Sequence, residues 1–454
     1  MKRLKQFKVP HSLAIVVFAM VLASLLTWLI PGGSFERIVD EAGKTVVVPG
    51  SYHTIEPSPV NPLTILGYVF DGLTDAGDII FALMCAGGGL GIVLATGMFQ
   101  GAACTFAKKA KGAEWLVIAV LMTVFTLLCI PINLNYFIPF APLGIIVAMA
   151  MGISIIMLGG AVGFSTGAMN LATTGTAQGI AELPVFSGMG YRLFCIIPFL
   201  IVTVIYVIRY GRKIKADPTK SYTYNVPLDL AGFNPDETPA FEKKHIPVAI
   251  VVVASIGYMI YVALFSSLSY KSSATIFLYM GLLSGIVYRM PVNQMCKEFS
   301  NGAKGMAGTG VLIGFAYAIS GILEAGNVMD TVVNAMANML NYVPDLFQAP
   351  AMFLMHLAVN LFITSGSGQA AIVMPIFVPV ADLVGMTRQT AVLAYNFGDG
   401  FANFIMPHAA ATMGFVACAN IPFTKWFQYV FKLFLIWVVV GIALLMIATA
   451  IGYS

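Results

Sequence analysis

The sequence predicts an all-α polytopic membrane protein with inverted structural repeats, each with a re-entrant hairpin and a broken transmembrane helix. Three observations predict this fold class: the composition, the lengths of the apolar segments and the similarity of the two halves. Of the 454 residues, 59% are hydrophobic and 10% are charged, with a mean hydropathy of +0.88. Soluble domains carry about 25% charged residues, so most of this outer surface must face lipid. The composition excludes a cytosolic enzyme, a nucleic-acid-binding protein and a secreted disulfide scaffold.

Nine apolar segments are long enough to cross a bilayer, which takes about 20 mainly apolar residues in a helix. We predict spans at about 12–30, 78–98, 153–177, 189–209, 246–266, 273–290, 304–326, 389–413 and 426–450. Two further apolar stretches, about 114–151 and 349–386, are each interrupted by polar and Gly-rich residues. An interrupted stretch can turn back inside the membrane where its free backbone groups face protein or a wet cavity. We therefore predict two re-entrant hairpins.

Positive charges predict the orientation. Lys2, Arg3, Lys5 and Lys8 directly precede the first span, so the N-terminus should stay on the cytoplasmic side of the membrane. Alternation from there leaves only five basic residues outside, namely Arg37, Lys44, Arg192, Lys271 and Arg388. This asymmetry requires both hairpins to be re-entrant, because one full crossing would reverse every later segment.

The predicted spans and linkers divide the chain into four parts. Residues 1–60 form the first span and an outside loop, and 61–210 form the first repeat with its hairpin at about 114–151. A Pro-rich, charged cytoplasmic linker follows at 211–245, and 246–454 form the second repeat with its hairpin at about 349–386. Amphipathic pieces near 62–76 and 328–345 should lie along the outer interface.

The two repeats align without gaps at an offset of 233 residues. Eight identities fall in the window 142–170, and they pair Pro142 with Pro375, Val147 with Val380, Ala148 with Ala381, Gly152 with Gly385, Ala161 with Ala394, Phe164 with Phe397, Gly167 with Gly400 and Asn170 with Asn403. Small residues also recur because membrane helices use them to pack closely, but close packing does not require matched Asn. Inverted repeats with paired broken elements are typical of secondary transporters, which bind their substrate between the repeats.

The second hairpin carries the polar string Thr364-Ser365-Gly366-Ser367-Gly368-Gln369 at its predicted turn. Glycines there allow a tight turn, and the amides at the start of the returning helix make a site for a carboxylate. The alternative is a solvated, inert loop tip.

The second broken helix reads Asn396-Phe397-Gly398-Asp399-Gly400-Phe401-Ala402-Asn403 and is followed by Pro407-His408. Two glycines and a proline should unwind the helix and free backbone carbonyls. A carboxylate at that depth is costly, so Asp399 is a candidate Na⁺ ligand or proton carrier, with pairing to a helix end as the structural alternative. For His408, packing or a backbone hydrogen bond is as consistent as a proton relay.

The first repeat offers neutral groups at the matching places. Its hairpin turn is Pro131-Ile132-Asn133-Leu134-Asn135-Tyr136, and its broken helix is Gly163-Phe164-Ser165-Thr166-Gly167-Ala168-Met169-Asn170, with Thr166 aligned to Asp399. Glu182 and Glu324 lie near span ends and should be solvated. The predicted substrate-binding residues are Asn133, Asn135, Ser165, Thr166, Asn170, Thr364, Ser365, Gly366, Ser367, Gly368, Gln369, Asn403 and His408. The predicted ion-coupling residues are Asp399, Ser367, Asn396, Asn403, Asn135 and Asn170, with a possible Na⁺ at Asp399, no other cofactor and no catalytic residue.

These strings resemble the YfcC family, a branch of the DcuC-type carriers within the ion transporter superfamily. The resemblance rests on Thr364 to Ala371, Met374-Pro375, Ala381 to Gly385, Arg388-Gln389, Phe397 to Phe401, Ala177 to Ala181 and Pro184 to Gly188. It implies a scaffold with two hairpins, an elevator-like transport domain, and C4-dicarboxylates or basic amino acids as substrates. One departure is that the first hairpin turn lacks the adjacent glutamates typical of the family, which argues against a cationic substrate.

We therefore predict a secondary active transporter, Na⁺- or H⁺-coupled or exchanging, for a small carboxylate-bearing solute such as a C4-dicarboxylate. A basic amino acid antiporter is the alternative within this class. A channel with two pore loops is the alternative from another class, although its selectivity needs a continuous polar lining. An enzyme would need a nucleophile with a base or a metal set, which five scattered histidines do not supply. The predicted partners are the lipid bilayer and a small-molecule substrate, without nucleic acid, and a homodimer stays open.

Overall fold

The computed structural model describes residues 12–39, 45–48, 50–109, 114–140, 152–224, 241–266, 269–340, 342–419 and 421–454. Within these ranges most residues are helical. The α-helices are α1 (Ser12–Leu29), α2 (Gly67–Asp75), α3 (Gly77–Ala95), α4 (Met98–Lys109), α5 (Glu114–Leu128), α6 (Gly152–Ser165), α7 (Thr176–Ile180), α8 (Met189–Ala216), α9 (Ile246–Phe265), α10 (Tyr270–Val287), α11 (Val292–Ala325), α12 (Met329–Leu340), α13 (Asp345–Val359), α14 (Gly366–Leu383), α15 (Arg388–Ala402), α16 (Ala410–Cys418) and α17 (Phe423–Ala450). Short 3₁₀ helices cover Leu134–Phe140, Pro218–Lys220 and Lys243–His245, and a π-helix covers Leu171–Gly175.

The helical, polytopic fold class is confirmed. Six described helical segments are long and apolar enough to cross a membrane, and they are Gly77–Ala95, Met189–Ala216, Lys243–Ala263, Val292–Ala325, Gly366–Leu383 and Phe423–Ala450. The basic N-terminal residues 2–8 lie outside the described residues, so the cytoplasmic N-terminus stays a prediction.

The predicted outside loop contains the only strands in the described ranges. Strand β1 (Gly33–Ser34) pairs antiparallel with β4 (His53–Thr54), and β2 (Arg37–Val39) pairs with β3 (Thr45–Val47). The loop is fixed to α12 by the Arg37–Asp330 ion pair, whose atoms are 2.8 Å apart. Two segments predicted to lie on the same side of the membrane therefore meet.

Segments predicted to lie on the cytoplasmic side also meet one another. The Phe241 amide donates to Thr105 Oγ1 of α4 at 2.8 Å, and the Arg212 guanidinium lies 5.5 Å from the centre of the Trp115 ring. Helix α8 runs to Ala216, so the predicted linker boundary at 211 lies within the last turns of this helix. The rest of the domain division stays a prediction.

Both predicted broken helices are broken. Helix α6 ends at Ser165, and the π-helix and α7 continue the segment after residues 166–170; α15 ends at Ala402, and α16 begins at Ala410. One detail of the prediction is wrong, because Asn396–Ala402 stays helical and does not unwind around Asp399. A side chain at Gly398 would meet the backbone of His356 on α13, and one at Gly400 would meet Ser165 on α6. These glycines let helices approach closely with their own hydrogen bonds intact.

The second hairpin consists of α13, a turn at 360–365 and α14. The turn therefore comes a few residues before the polar string predicted for it, and Gly366 already begins the returning helix. In the first hairpin, α5 leads to a turn and to the 3₁₀ helix Leu134–Phe140, while the return at 141–151 lies outside the described residues.

Glycines also bring a second group of helices into close contact with one another. A side chain at Gly89 of α3 would meet the backbone of Phe277 on α10, and one at Gly302 of α11 would meet the backbone of Gly87. Helices α3, α10 and α11 therefore touch backbone to backbone and form a close-packed group, called here the scaffold wall.

Candidate functional site

A cavity of about 700 Å³ lies where the two hairpin tips, the two breaks and the scaffold wall meet. The hairpin tips contribute Asn133 to Tyr136 and Phe362 to Gly368, and the breaks contribute Asn170, Thr173, Asn403 and Phe404. The opposite side is formed by Ser266, Tyr270, Tyr317, Ser320 and Glu324. The volume is in the range of small-molecule sites.

Nine predicted substrate-binding residues line this cavity. They are Asn133, Asn135, Asn170, Thr364, Ser365, Gly366, Ser367, Gly368 and Asn403. The sequence therefore predicted both tips and the Asn of both breaks as parts of one site. Ser165, Thr166, Gln369, Asn396, Asp399 and His408 do not line the cavity among the described residues, and they are buried behind it.

The start of α14 faces the cavity with its polar groups. Ser365 caps the helix, because its Oγ accepts from the Gly368 amide at 3.3 Å and its carbonyl accepts from the Gln369 amide at 2.7 Å. These bonds leave the amides of Gly366 and Ser367 directed out of the helix start. The hydroxyls of Thr364 and Ser367 stand beside them on the cavity wall.

Asp399 lies on the other side of the same helix start. A side chain at Gly366 would come within 2.8 Å of Asp399 Oδ2, so only glycine lets this carboxylate approach α14 so closely. Asn360 Nδ2 donates to Asp399 Oδ1 and to Gln369 Oε1, both at 3.1 Å. The carboxylate is 1% exposed and lies near the positive end of the α14 dipole.

Asn360 was not predicted as a site residue. It is fully buried at the end of α13, and its Oδ1 is without a hydrogen-bond partner among the described residues. A buried oxygen without a donor beside a carboxylate fits a bound cation. The sequence does contain a signal for Asn360, because it is an amide side chain within an apolar run directly before the polar string that begins at Thr364.

The carbonyls at the second break are already hydrogen-bonded. Asn403 Nδ2 donates to the Asp399 carbonyl at 2.9 Å, Thr412 Oγ1 to the Asn403 carbonyl at 2.5 Å, and Trp426 Nε1 to the Phe404 carbonyl at 2.9 Å. The prediction of free carbonyls at this break is therefore wrong for these three groups. Side-chain donors occupy them because polar backbone at a helix break must be satisfied.

The two broken helices cross directly behind the cavity. Gly400 of α15 packs on Ser165, where an added side chain would come within 2.5 Å of the Ser165 Cα, and Gly167 packs on Asn396. Gly167 has a φ of +59°, which places it in the left-handed region. Ser165, Thr166 and Asn396 therefore form the helix crossing, and they do not line the cavity. Substrate binding by Ser165 and Thr166 and ion coupling by Asn396 stay predictions.

Arg192 closes this crossing from α8. Its Nη1 donates to Asn396 Oδ1 at 2.6 Å and lies 3.5 Å from the Thr166 carbonyl, and its Nη2 lies 3.5 Å from Gln389 Oε1. The sequence placed Arg192 outside the membrane, but the side chain is fully buried. The positive-inside count treats a basic residue near a span end as a loop charge, and it cannot detect a residue that turns inward.

His408 and Gln369 lie outside the cavity lining and contact the second hairpin. His408 is 5% exposed and its ring hydrogen-bonds the backbone of Asn360 and Leu361, the backbone alternative considered above. Gln369 Nε2 donates to the His356 carbonyl at 3.3 Å. Both side chains hold the second hairpin tip in place.

The scaffold wall adds aromatic hydroxyls and one acid to the cavity. Asn135 Nδ2 donates to the Tyr270 hydroxyl at 3.2 Å, which links the first tip to α10. Glu324 of α11 is exposed as predicted, but it faces the cavity. Among the described lining residues Glu324 is the one charged side chain.

Comparison with known proteins agrees with this arrangement. A protein-family profile described as "DcuC: C4-dicarboxylate anaerobic carrier" matches residues 9–450. The chain belongs to this DcuC family. It is therefore a multi-pass membrane transporter of the DcuC/YfcC type, and the family is one of transporters and not of enzymes.

Two relatives extend over nearly the whole chain. The DcuC-family chain is 30% identical to the "Putative basic amino acid antiporter YfcC" of Escherichia coli, over 94% of each chain. It is 24% identical to an uncharacterized protein of Haemophilus influenzae, over 99% of each chain. The resemblance drawn from the polar strings is confirmed. Among solved structures, the YdaH transporter of Alcanivorax borkumensis covers 98% of this chain and 99% of its own at 16% identity, with a TM-score of 0.44 that is too low to bear on fold or function.

Proposed function

We propose that this protein is a secondary active transporter that carries a small carboxylate-bearing solute by alternating access at the central cavity. The observation that carries the proposal is that both hairpin tips and both helix breaks line one cavity. Transporters with inverted repeats bind at this interface and open it to one side at a time. A channel would instead need a continuous polar path, whereas these polar groups are gathered around one cavity.

The start of α14 supports a carboxylate as the recognised group. Helix starts bind anions through free amides and the helix dipole, and here Thr364, Ser365 and Ser367 add hydroxyl donors. The described lining includes no Lys, Arg or His, so neutral donors would hold the carboxylate.

Asp399 supports coupling to Na⁺ or H⁺. Its carboxylate and the incoming solute carboxylate would share the start of α14 from opposite sides of Gly366. Two anions at one helix end repel each other unless a cation neutralises one of them. A Na⁺ held by Asp399 and Asn360 Oδ1, or a proton on Asp399, would therefore favour solute binding. In an exchanger, the same site would prevent the protein without bound solute from opening to the other side of the membrane.

Packing supports an elevator-like movement. Within the scaffold wall, and within the unit of tips and broken helices, helices touch at glycines without space for a Cβ. Between the two units lie the cavity, the Asn135–Tyr270 hydrogen bond and a contact of α11 with α16, where Thr309 Oγ1 lies 3.5 Å from Cys418 Sγ. We propose that the tips and breaks move as one body past the wall, and that the two hairpins enter from opposite sides.

A basic amino acid exchanger is the second candidate, and Glu324 favours it. A carboxylate that lines the same cavity as the α14 start suits a solute that carries both a carboxylate and an ammonium group. The relative named YfcC carries that activity in its name.

Counterflow in proteoliposomes distinguishes these candidates. Liposomes with the purified chain are loaded with unlabelled succinate, glutamate, arginine or ornithine, and uptake of the same labelled solute is followed against protein-free liposomes. We expect saturable counterflow for a carboxylate solute without a cationic side chain. Arginine–ornithine exchange with no organic-acid counterflow would select the second candidate, and flux without saturation or counterflow would select a channel.

A further inference from the structure

Arg192 presents a buried positive charge that the transport site so far leaves unexplained. The guanidinium is fully buried, and its hydrogen-bond acceptors are Asn396 Oδ1, the Thr166 carbonyl, Gln389 Oε1 and the Tyr453 hydroxyl. All four acceptors are neutral. Among the described residues its Nε has no hydrogen-bond partner. A buried ion without an opposite charge in contact is strongly unfavourable, so a compensating charge nearby is expected.

Asp399 is the carboxylate in position to compensate. Asn396, which Arg192 contacts at 2.6 Å, precedes Asp399 by three residues on α15. Residues three apart on a helix face the same side, with their Cβ atoms about 5–6 Å apart. The guanidinium and the carboxylate are thus separated by one helical turn and the Asn396 amide, in a region with little water to screen them.

Other polar groups around Asp399 do not supply that charge in a fixed form. They are Tyr395 on its own helix, His356 on α13 and His408 in the break. Tyr395 donates its hydroxyl to the Gly366 carbonyl, and both nitrogens of His356 have no hydrogen-bond partner among the described residues. Arg192 is the group that stays cationic under all ordinary conditions.

We propose that Arg192 is a positioning residue whose fixed charge balances Asp399 through Asn396 and keeps the affinity of Asp399 for the coupling cation low enough for release. The affinity part of this inference rests on the cation site of the proposed function, whereas the charge balance does not. A structural alternative is that Arg192 only ties the two breaks together, since it contacts Thr166 of one and Asn396 before the other. The two roles predict different results when the carboxylate at position 399 is removed.

A double-mutant cycle on thermal stability separates the two roles. Arg192→Gln is made in the wild-type chain and in Asp399→Asn, and the thermal midpoints of the purified full-length proteins are compared. Charge balance predicts that R192Q lowers the midpoint of the wild-type chain and lowers that of the D399N chain much less, or raises it. Equal decreases of the midpoint in the wild-type and D399N chains would overturn the proposal. R192Q would then act only by removing the contacts that join the two breaks, which are lost in either chain.

Two further variants decide the result if R192Q does not fold. Arg192→Lys keeps the charge and loses the planar fork. A folded double variant beside an unfolded R192Q supports charge balance. If R192Q and the double variant R192Q/D399N both fail to fold, the proposal is contradicted whether or not R192K folds. Arg192 would then be needed irrespective of the charge at position 399.

Na⁺ binding provides the readout that a structural tie would not change. The midpoint is followed as NaCl replaces choline chloride at constant ionic strength, because bound Na⁺ stabilises the folded chain. R192Q should lower the half-saturating Na⁺ concentration on the order of tenfold, because a positive charge near the cation is removed, and R192K should not. An unchanged half-saturation in R192Q, or an equal shift in R192K, contradicts the proposal. A wild-type chain that does not respond to Na⁺ contradicts Na⁺ coupling in the proposed function, and the stability cycle then decides the charge balance alone.

Discussion

The two helix breaks have the same architecture and opposite electrostatics. In the first break, Thr166 offers a neutral hydroxyl that donates to the Gly163 carbonyl at 3.2 Å, and Arg192 closes the end of α6. In the second, Asp399 sits in an intact helix beside the start of α14, and neutral side chains satisfy the carbonyls. The repeated architecture thus has one break that is closed by Arg192 and neutral groups and one break that carries the Asp399 carboxylate.

The largest expected effect comes from making the second break as neutral as the first. Asp399→Asn keeps the size of the side chain and an acceptor for Asn360, but it removes the charge that would hold a cation. We expect cation-driven accumulation to fall by about 100-fold, at the upper end of ordinary coupling energies, while the protein still reaches the membrane. Uptake of the solute identified by counterflow, under an imposed Na⁺ or H⁺ gradient, measures this.

Thr166→Val is the matched control at the aligned position of the first break. It replaces a buried hydroxyl with a methyl group of similar size and leaves every charge in place. Accumulation should stay within a few-fold of wild type. If D399N accumulates like wild type, Asp399 has a structural role, and if T166V loses accumulation as D399N does, the division between the breaks is not one of charge.

Polar side chains inside apolar stretches allowed part of the cavity lining to be predicted from the sequence. Polar side chains in apolar stretches indicate a wet cavity. The cavity is indeed lined by Ser365, Ser367, Asn133 and Asn403. Arg192 was missed because its burial depends on α6, α15 and the C-terminal Tyr453, which are distant in sequence. Local sequence gives a residue's chemistry, whereas its surroundings are set by tertiary packing.

The glycines of the second break show the same limit more sharply. A Gly-Asp-Gly string predicts either flexible backbone or close packing, and both interpretations are physically sound. The choice is made by the partner surfaces, His356 behind Gly398 and Ser165 behind Gly400, which the string itself does not contain. The helix is therefore intact where unwinding was predicted.

A second, smaller effect is expected from the glycines at which the breaks cross. At Gly400 an alanine Cβ would come within 2.5 Å of the Ser165 Cα, so backbone must move. At Gly167 it would meet the side chains of Thr174 and Asn396, and the left-handed φ of +59° would add strain. We expect Gly400→Ala to lower the thermal midpoint most and Gly167→Ala to lower it less, because side-chain atoms yield more easily than backbone.

Gly305→Ala is the control for helix propensity. An added side chain at Gly305 on α11 has no neighbour within 4 Å, so this change should leave the midpoint unchanged or raise it slightly. Midpoints of all three purified variants are compared in one detergent. If G400A is as stable as G305A, the two breaks do not pack closely. Movement of the two breaks as one body would then be contradicted.

The smallest expected effect concerns Glu324, which belongs to the scaffold wall and to neither break. It is exposed to the cavity, so solvent and salt screen its charge, and one unit charge about 6 Å away in water-like surroundings changes affinity by about threefold. Glu324→Gln should strengthen competition by succinate and weaken competition by ornithine by that factor, because a second carboxylate is no longer repelled and an ammonium group is no longer attracted. Half-inhibitory concentrations against the transported solute, at low and high salt, measure both changes, and both should shrink in high salt. Equal changes in the same direction for succinate and ornithine would mean that Glu324 shapes the cavity without selecting by charge, and the two candidate substrate classes would then be distinguished at the tips alone.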